Sequence, residues 1–525
     1  MNKYVRKLLG VMFQSQQTQQ VIHAPLQHSL TSPEEWHAHW QVKGLPWRTE
    51  PEIGAKRQEE LSKCRAIVPD IEKGIYPFKG MKLSRADVEW LLATHENGRG
   101  PVDWNDESQR ERKGLDLRGA NPSHVDLSNL PLACLRSGLI LDEWPNNIDK
   151  QPNRVVIQMA GANLSGTHLE EAYLIGACLS GANLNRAHLT EAYLVSANLM
   201  DADLTDADLG RAQLGSAHLE GAQFLRANLK VAHLTRAYLA RAQFDYAHLE
   251  FADLSMTHCE QTEFIGASMQ NARFIGADLT GANLSKSHLE GAYLNYALLR
   301  NIRLSEAYLA GSYLEGVVMA DEMRIGPQLV DVHWNDVNLA FVKWSQIDMV
   351  SEEYQAHHKE EDGKLKDSFT RVEEYETAVR ANRQLAVVLQ NQGLDEDARR
   401  FAYRAKILQR KILWKQRNFW KWLGFAILAL LAGYGYRMWR ILAAYLFIVL
   451  LCAVAYFVLG LYYEPHLSFL EAVLTSITAF HGRVFSEPFL RPDEPQLWVT
   501  AFEAVTGLVI EDVFIAMLTQ RFFGK

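Results

Sequence analysis

The chain has 525 residues, too many for one ordinary hydrophobic core, so several domains are expected. Its formal net charge of −8 gives no electrostatic reason to expect nucleic acid as a partner. Cys64, Cys134, Cys178, Cys259 and Cys452 are scattered and odd in number, with neither a C-x-x-C pair nor a Cys/His zinc spacing, which argues for reduced thiols rather than a disulfide scaffold.

The opening stretch, "MNKYVRKLLGVMFQSQQTQQ", has basic residues and an apolar run too short for a secretory signal, so a soluble, cytoplasmic part is expected first. Residues 1–113 read as a cap region. "WHAHWQVKGLPWRTEPEI" is rich in tryptophan, and "LSRADVEWLLATHENG" reads as a helix with Ser84 as N-cap and Asn97-Gly98 as its stop. No catalytic constellation appears here or later, so the chain is not expected to be an enzyme, and no cofactor is expected.

From Met159 a period of five takes over. Leu164, Leu169, Leu174, Leu179, Leu184, Leu189, Leu194 and Leu199 mark it, with alanine two residues before most of them. Phe224, Phe244, Phe264 and Phe274 fill the leucine slot further on. Neither helix nor strand has a period of five, and a fixed repeat means a solenoid whose units bury apolar residues against their neighbours. A second period of twenty aligns His168, His188, His248 and His288, then Tyr173, Tyr193, Tyr293 and Tyr313, so four pentads make one coil. "ADEMRIGPQ" would put Glu322 and Arg324 into inward slots and is expected to loop out. Leu329, Trp334, Leu339, Trp344 and Met349 then return in phase, while "GLDLRGANPSHVDLSNLPL" makes a first coil in another phase, upstream of an insertion through "LDEWPNNIDKQPN".

"ANLSG", "ADLTD", "ADLGR" and "ADLTG" resemble the pentapeptide-repeat consensus A-(D/N)-L-x-x. The resemblance implies a right-handed quadrilateral β-helix over residues 114–350. The histidine column offers no compact ligand cluster by sequence, because Asp208 and Asn228 interrupt it, so no metal is expected and a solvated, hydrogen-bonded face is. Some members of the family mimic DNA with an acidic rod; Arg211, Arg226, Arg236, Arg241 and Lys230 speak against that here. Its faces could carry a protein partner.

A charged linker is expected over 351–368 and a helical hairpin over 369–418, from helically spaced Ala378, Ala381, Leu385, Leu389 and then Ala398, Ala402, Ala405, Leu408. Gly393 breaks the two helices, and Asp395 is a candidate cap for the second. The pair resembles one tetratricopeptide-type hairpin, with packing or oligomer contact as its expected role.

Residues 441–463 are uncharged and long enough to span a bilayer. Residues 497–523 form a second candidate despite Glu503, Glu511 and Asp512, and the short apolar "LSFLEAVLTSITAF" between them suits a re-entrant helix. Span, short helix, loop, span resembles the two-helix pore module of potassium-type channels. The resemblance makes Thr475, Ser476, Thr478, His481, Gly482 and Arg483 the pore-loop residues. Glu503 and Glu511, about 80° apart on a helix, and Asp512 are then expected to line or gate the pore, with structural pairing as the other reading. Basic residues from Lys411 to Arg440 and Arg521 put both termini in the cytoplasm.

Gly433-Tyr434-Gly435 looks like a potassium filter but precedes the first span, lacks the preceding Thr-Val and is followed by Arg437 and Arg440. Residues 419–440 therefore read as an interfacial segment. At the filter position stands "TAFHGRVF", in which only Gly482 survives. "TAFHGRVF" and "TQRFFGK" are similar to bacterial pentapeptide-repeat proteins with the same pore segment and ending. The expected molecule is multi-domain: a β-helix, a helical hairpin and an α-helical transmembrane pore domain at 441–525. It would form an oligomeric, tetrameric, ion-channel-like protein in the cell membrane, in contact with lipid, whose cytoplasmic rod senses or scaffolds. A membrane-anchored scaffold with a non-conducting pore-like domain is the alternative.

Overall fold

The computed structural model describes residues 30–70, 73–138, 156–361, 364–433, 438–462, 466–482 and 495–523. They fall into two compact units, divided after Ala237.

In the first unit, α1 (Pro33–Val42) and α3 (Arg85–Ala93) each start on a serine capping box, Ser32 with Glu35 and Ser84 with Asp87. Between them lies α2 (Ala55–Arg65). Ser84 caps as expected, but α3 ends at Ala93, before Asn97-Gly98; Glu96 and Asn97 are already left-handed. Buried Glu89 ties these pieces together, accepting from the backbone of Thr49 and Glu50 and pairing with Arg85. The segment after Tyr76 lies along the first coil: Phe78 donates to Arg118 O, and Asn121 to Met81 O. An open solenoid end exposes unpaired backbone groups, and this segment occupies them. Residues 141–153, read as an insertion, lie outside the described residues, but the coil step across them is 37 residues (Asp126 to Asn163, Arg136 to Tyr173) instead of 20.

The coils themselves follow the two periods. Parallel bridges join residues 20 apart, from Gln158–Cys178 to Gln213–His233 in the first unit and from Tyr238–His258 to Leu298–Val318 in the second. From Met159 to Leu314 each pentad turns because the residue two after the central one is left-handed, whether Gly166, Arg186 or Glu306; at Leu339 and Trp344 a 3-10 turn takes its place. Non-glycine residues rarely accept that conformation. Here the same residue's N–H is held by the next coil, as Arg186 N to Thr205 O at 2.9 Å. Leucine and alanine slots are fully buried, and where Thr167, Thr257, Thr262 or Ser287 replaces alanine its hydroxyl donates to a backbone carbonyl. The Asn/Asp slot works twice. Asn183 Oδ1 accepts from Asn185 N, and its amide donates to Asn163 on the preceding coil.

In the second unit the segment with Glu322 and Arg324 does loop out, both side chains exposed, and the register resumes after five extra residues, with Arg303 bridged to Gln328. The stretch expected as a linker is structured: it opens with α4 (Ser351–His357) and a small ribbon, Glu360–Glu361 against Lys364–Leu365. Then come α5 (Ser368–Asn391) and α6 (Asp395–Lys415), packed through Tyr375, Ala378, Val379, Leu408 and Ile412. Leu394, not Asp395, occupies the N-cap of α6, with no side-chain cap bond.

The hairpin closes the solenoid. Gln384 pairs with Asp331 through both its amide atoms, and Gln392 accepts from Leu339 N and donates to Val337 O. Glu352 Oε1 accepts from Leu329 N and Val330 N, each at 2.6 Å, and Arg404 forks onto Glu353. Polar side chains thus replace the next coil as partners for an otherwise open edge. Burial pushes the Glu352 carboxyl up to about 7, against the opposing pull of its backbone donors.

Four further helices follow: α7 (Phe419–Ala432), α8 (Met438–Tyr462), α9 (Phe469–Phe480) and α10 (Pro495–Phe523). Gly433 ends α7 in the left-handed conformation; Tyr434 and Gly435 lie outside the described residues. Of the two expected spans one stands by length and composition, Arg440–Tyr462; α10 is long enough but carries Glu503, Glu511 and Asp512.

Candidate functional site

The residues singled out at the helical end are placed by α9, which starts on a capping box of Ser468 and Glu471 and packs against both α8 and α10. Gly507 permits this: a Cβ there would stand 1.9 Å from Phe480 O. On the buried face of α9, Ser476 donates to Val449 O at 2.8 Å and meets Glu503 of α10. Thr475 and Thr478 turn back onto carbonyls of their own helix. His481, the C-cap, pairs with Glu511; Gly482 follows at φ +68°, and Arg483 lies outside the described residues.

Glu503 is 0% exposed and faces the interior of its own bundle, beside Ser476, rather than an open face. Gln496, one turn below Thr500, is also buried, at 1% exposure; its amide atoms have no hydrogen-bond partner. Tyr456 bridges to Thr500 at 2.9 Å, and Thr500 donates to Gln496 O. Asp512 is exposed. The bundle's outside is the reverse. Leu442, Phe447, Leu450 and Leu461 of α8, Leu470 and Leu474 of α9, and Trp498, Phe502, Leu508 and Ile515 of α10 are all exposed. Two apolar clusters fill the spaces between helices, Ile441, Val449, Phe480 and Ile510 in one and Cys452, Tyr456 and Ala472 in the other.

On the coils the columns are real stacks. His168 and His188 lie 4.6 Å apart, Tyr173 and Tyr193 4.9 Å, His288 and Tyr308 4.7 Å, and Tyr293 and Tyr313 4.7 Å, all nearly parallel. The expectation of no compact ligand group needs correcting here. Among the described residues, His168, Glu170 and His188 bring one donor atom each within 4.8 Å of one another. Glu170 was missed because only the histidine column was followed. A His-x-Glu flanking an inward leucine sends both side chains to the same outer face, which sequence alternation could have revealed. Hydrogen bonding to Glu170 holds the His168 imidazole above its ordinary value against the opposing effect of burial, and Asp103 adds to it.

Comparison with known proteins bears on the coils. The model of the family "Pentapeptide repeats (8 copies)" matches residues 158–190, 182–221, 212–245, 222–258, 242–281 and 282–319. No curated protein matches the chain. Among solved structures, HetL, a pentapeptide repeat protein involved in heterocyst differentiation regulation from the cyanobacterium Nostoc sp. strain PCC 7120, is 22% identical, covers 54% of this chain and 100% of its own, and has a TM-score of 0.32. A pentapeptide repeat protein from the thylakoid lumen of Arabidopsis thaliana is 25% identical over 23% of this chain and 79% of its own, with a TM-score of 0.15. One from the cyanobacterium Cyanothece 51142 is 19% identical over 39% of this chain and 89% of its own, with a TM-score of 0.12. Residues 158–319 are pentapeptide repeats, and within each unit they fold as β-helical coils.

Proposed function

We propose that the chain is a membrane-anchored scaffold: α7 to α10 sit in a lipid bilayer, and the pentapeptide-repeat coils are its cytoplasmic docking surface for a protein partner. One observation carries this reading, the inverted polarity of the α8–α10 bundle. Its exposed surface is rich in leucine, phenylalanine, tryptophan and isoleucine, while Glu503 and Ser476 are shut inside against each other. In water that arrangement is unfavourable on both counts; in hydrocarbon it is the favourable one, because polar groups there must find partners within the protein. No catalytic step belongs to this reading. The test is alkaline carbonate extraction of membranes holding the full chain. Retention in the pellet supports anchoring, and complete release overturns it. Topology follows from His466→Cys, at an exposed position, which an impermeant external thiol reagent labels in intact cells if the short connection faces out. Gln496, though close to the start of α10, is buried and would report packing instead.

A second reading, an oligomeric and tetrameric channel, is favoured by the exposed His481–Glu511 pair at the end of the short helix, where a pore-loop of the potassium-channel type would meet the lumen. Glu503, facing its own bundle, is then a packing group, and Glu511 is the acid left to line a path. Ion flux through purified protein in planar bilayers separates the readings. A conductance altered by Glu511→Gln favours the channel, and its absence with a monomeric protein favours the scaffold.

A further inference from the structure

We propose that His168, Glu170 and His188 form a binding site for one divalent transition-metal ion of the zinc class. The site lies on the coils and is independent of any membrane insertion. Leu169 points inward, so His168 and Glu170 leave the same coil side by side, and the twenty-residue step brings His188 directly beside His168. The three donors lie within 4.8 Å of one another.

The glutamate supplies the independent observation. Glu170 is only 5% exposed, its Oε1 is 2.9 Å from His168 Nδ1, and its Oε2 is buried without a hydrogen-bond partner. Leaving a buried carboxylate oxygen unpaired costs free energy, and a cation beside it removes that cost. Two imidazoles and one carboxylate select zinc, cobalt, nickel or copper over magnesium and calcium, which prefer all-oxygen shells. Three protein donors leave a fourth position for water or for a partner's side chain. As they stand the two rings are parallel, so their lone pairs run alongside each other. Donors around a tetrahedral ion with bonds of about 2.0–2.1 Å sit roughly 3.3 Å apart. The stacked rings must therefore tilt so that donors now within 4.8 Å of one another close by up to about 1.5 Å. His188 is exposed and His168 half-buried, so only a surface stack opposes that tilt.

The chain contains its own controls. His248–Glu250, His258–Glu260 and His288–Glu290 repeat the pair, but the residues bridged to those histidines on the following coil are Ser268, Asp278 and Tyr308. Among these pairs only His168–Glu170 has a second imidazole there.

The experiment is Co²⁺ titration of the detergent-purified full chain, followed by its visible absorption, with Zn²⁺ as competitor. One equivalent is expected to bind, at least tenfold more weakly in His188→Gln and Glu170→Gln, and unchanged in His248→Ala. His188 is exposed, so His188→Gln leaves the coil's melting curve intact and keeps the comparison clean. Ser268→His, which builds a second imidazole beside His248, is expected to add a second equivalent. Equal Co²⁺ affinity in wild type and His188→Gln overturns the site, as does an equal loss in His248→Ala.

Discussion

The coils and the helical end use the same apolar residues in opposite ways. In the coils every central leucine is hidden and the acids stand on the faces; Leu229 is 0% exposed, whereas Asp206 lies outside in a pair with Arg226. In the α8–α10 bundle the leucines are outside and Glu503 is inside. A fold is stabilised by what its solvent rejects, so the direction of the polarity gradient is the argument for the bilayer proposed around the bundle. On the proposed reading, water surrounds the coils and hydrocarbon the bundle. The hairpin between them belongs to the first regime, since it meets the last coil with amides, carboxylates and arginines.

The largest break is expected from a charge in the coil core. Leu229→Asp buries an unpaired carboxylate in a core of leucine, alanine and phenylalanine side chains. The loss should exceed about 4 kcal/mol, enough to unfold adjacent coils, because in a solenoid each repeat depends on its neighbours. Circular dichroism melting and limited proteolysis check it; a wild-type melt would mean that the inward assignment of the leucine column is wrong.

Next comes Glu352, at the junction of the last coil and the hairpin. Its folded carboxyl titrates at about 7, raised from 4.5 by burial. Between those values the folded chain holds a proton that the unfolded chain has released, so stability is greater at the acidic end and falls as pH rises through 7. The full effect is on the order of 3 kcal/mol. Hydrogen exchange of the Leu329 and Val330 amides, which Glu352 accepts, should therefore be slower at pH 5.5 than at pH 8 after correction for intrinsic rates. Glu352→Gln keeps an acceptor oxygen but cannot ionise, so it should flatten that difference. A pH effect that survives the substitution would place the titrating group elsewhere.

A smaller effect is expected inside the bundle. Gly507→Ala drives a Cβ against Phe480 O and must push α10 away from α9, at a cost of about 1–3 kcal/mol. Thermal melting in detergent measures it. An unchanged melt would mean that α9 is not clamped between α8 and α10, and the bundle's buried polar interior would lose its support.

The coils were legible because one five-residue rule, repeated, assigns the inward leucine and the small residue; the left-handed corner and the Asn/Asp that bonds its own turn and the coil before emerge only from the structure. Ser84, Gly393, the loop at Glu322 and the resumed register were readable for the same reason, each being a local signal. What the sequence concealed depends on partners distant in the chain. Glu352 looked like part of a charged linker because its acceptor role requires the Leu329 edge, 23 residues earlier. Glu503 was open to pore lining or structural pairing, because helical spacing gives angles on one helix but not which face another helix will cover; its contact with Ser476, 27 residues away, is visible only in the folded bundle. Asp395 failed as a cap although its residue type fits, since Leu394 already occupies that position after Gly393.

The smallest effect is expected where the geometry looks strongest. Arg226 reaches Asp206 on the preceding coil with two bonds of 2.8 Å, and that contact holds the Asp206 carboxyl below its usual range. A depressed acid stabilises the fold above its unfolded value and loses that contribution as pH falls, so the pair should in principle favour neutral pH. Both groups stand in water, however, where screening and the ordering of a long side chain cancel most of the attraction. Arg226→Ala should therefore leave the melting temperature unchanged within measurement, at pH 7 and at pH 4 alike. Arg404→Ala offers the contrast, because Glu353 is nearly buried and would lose its partner at the hairpin junction. A clear destabilisation by Arg226→Ala would mean that ladders of charge along the faces, and not the leucine column, hold neighbouring coils in register.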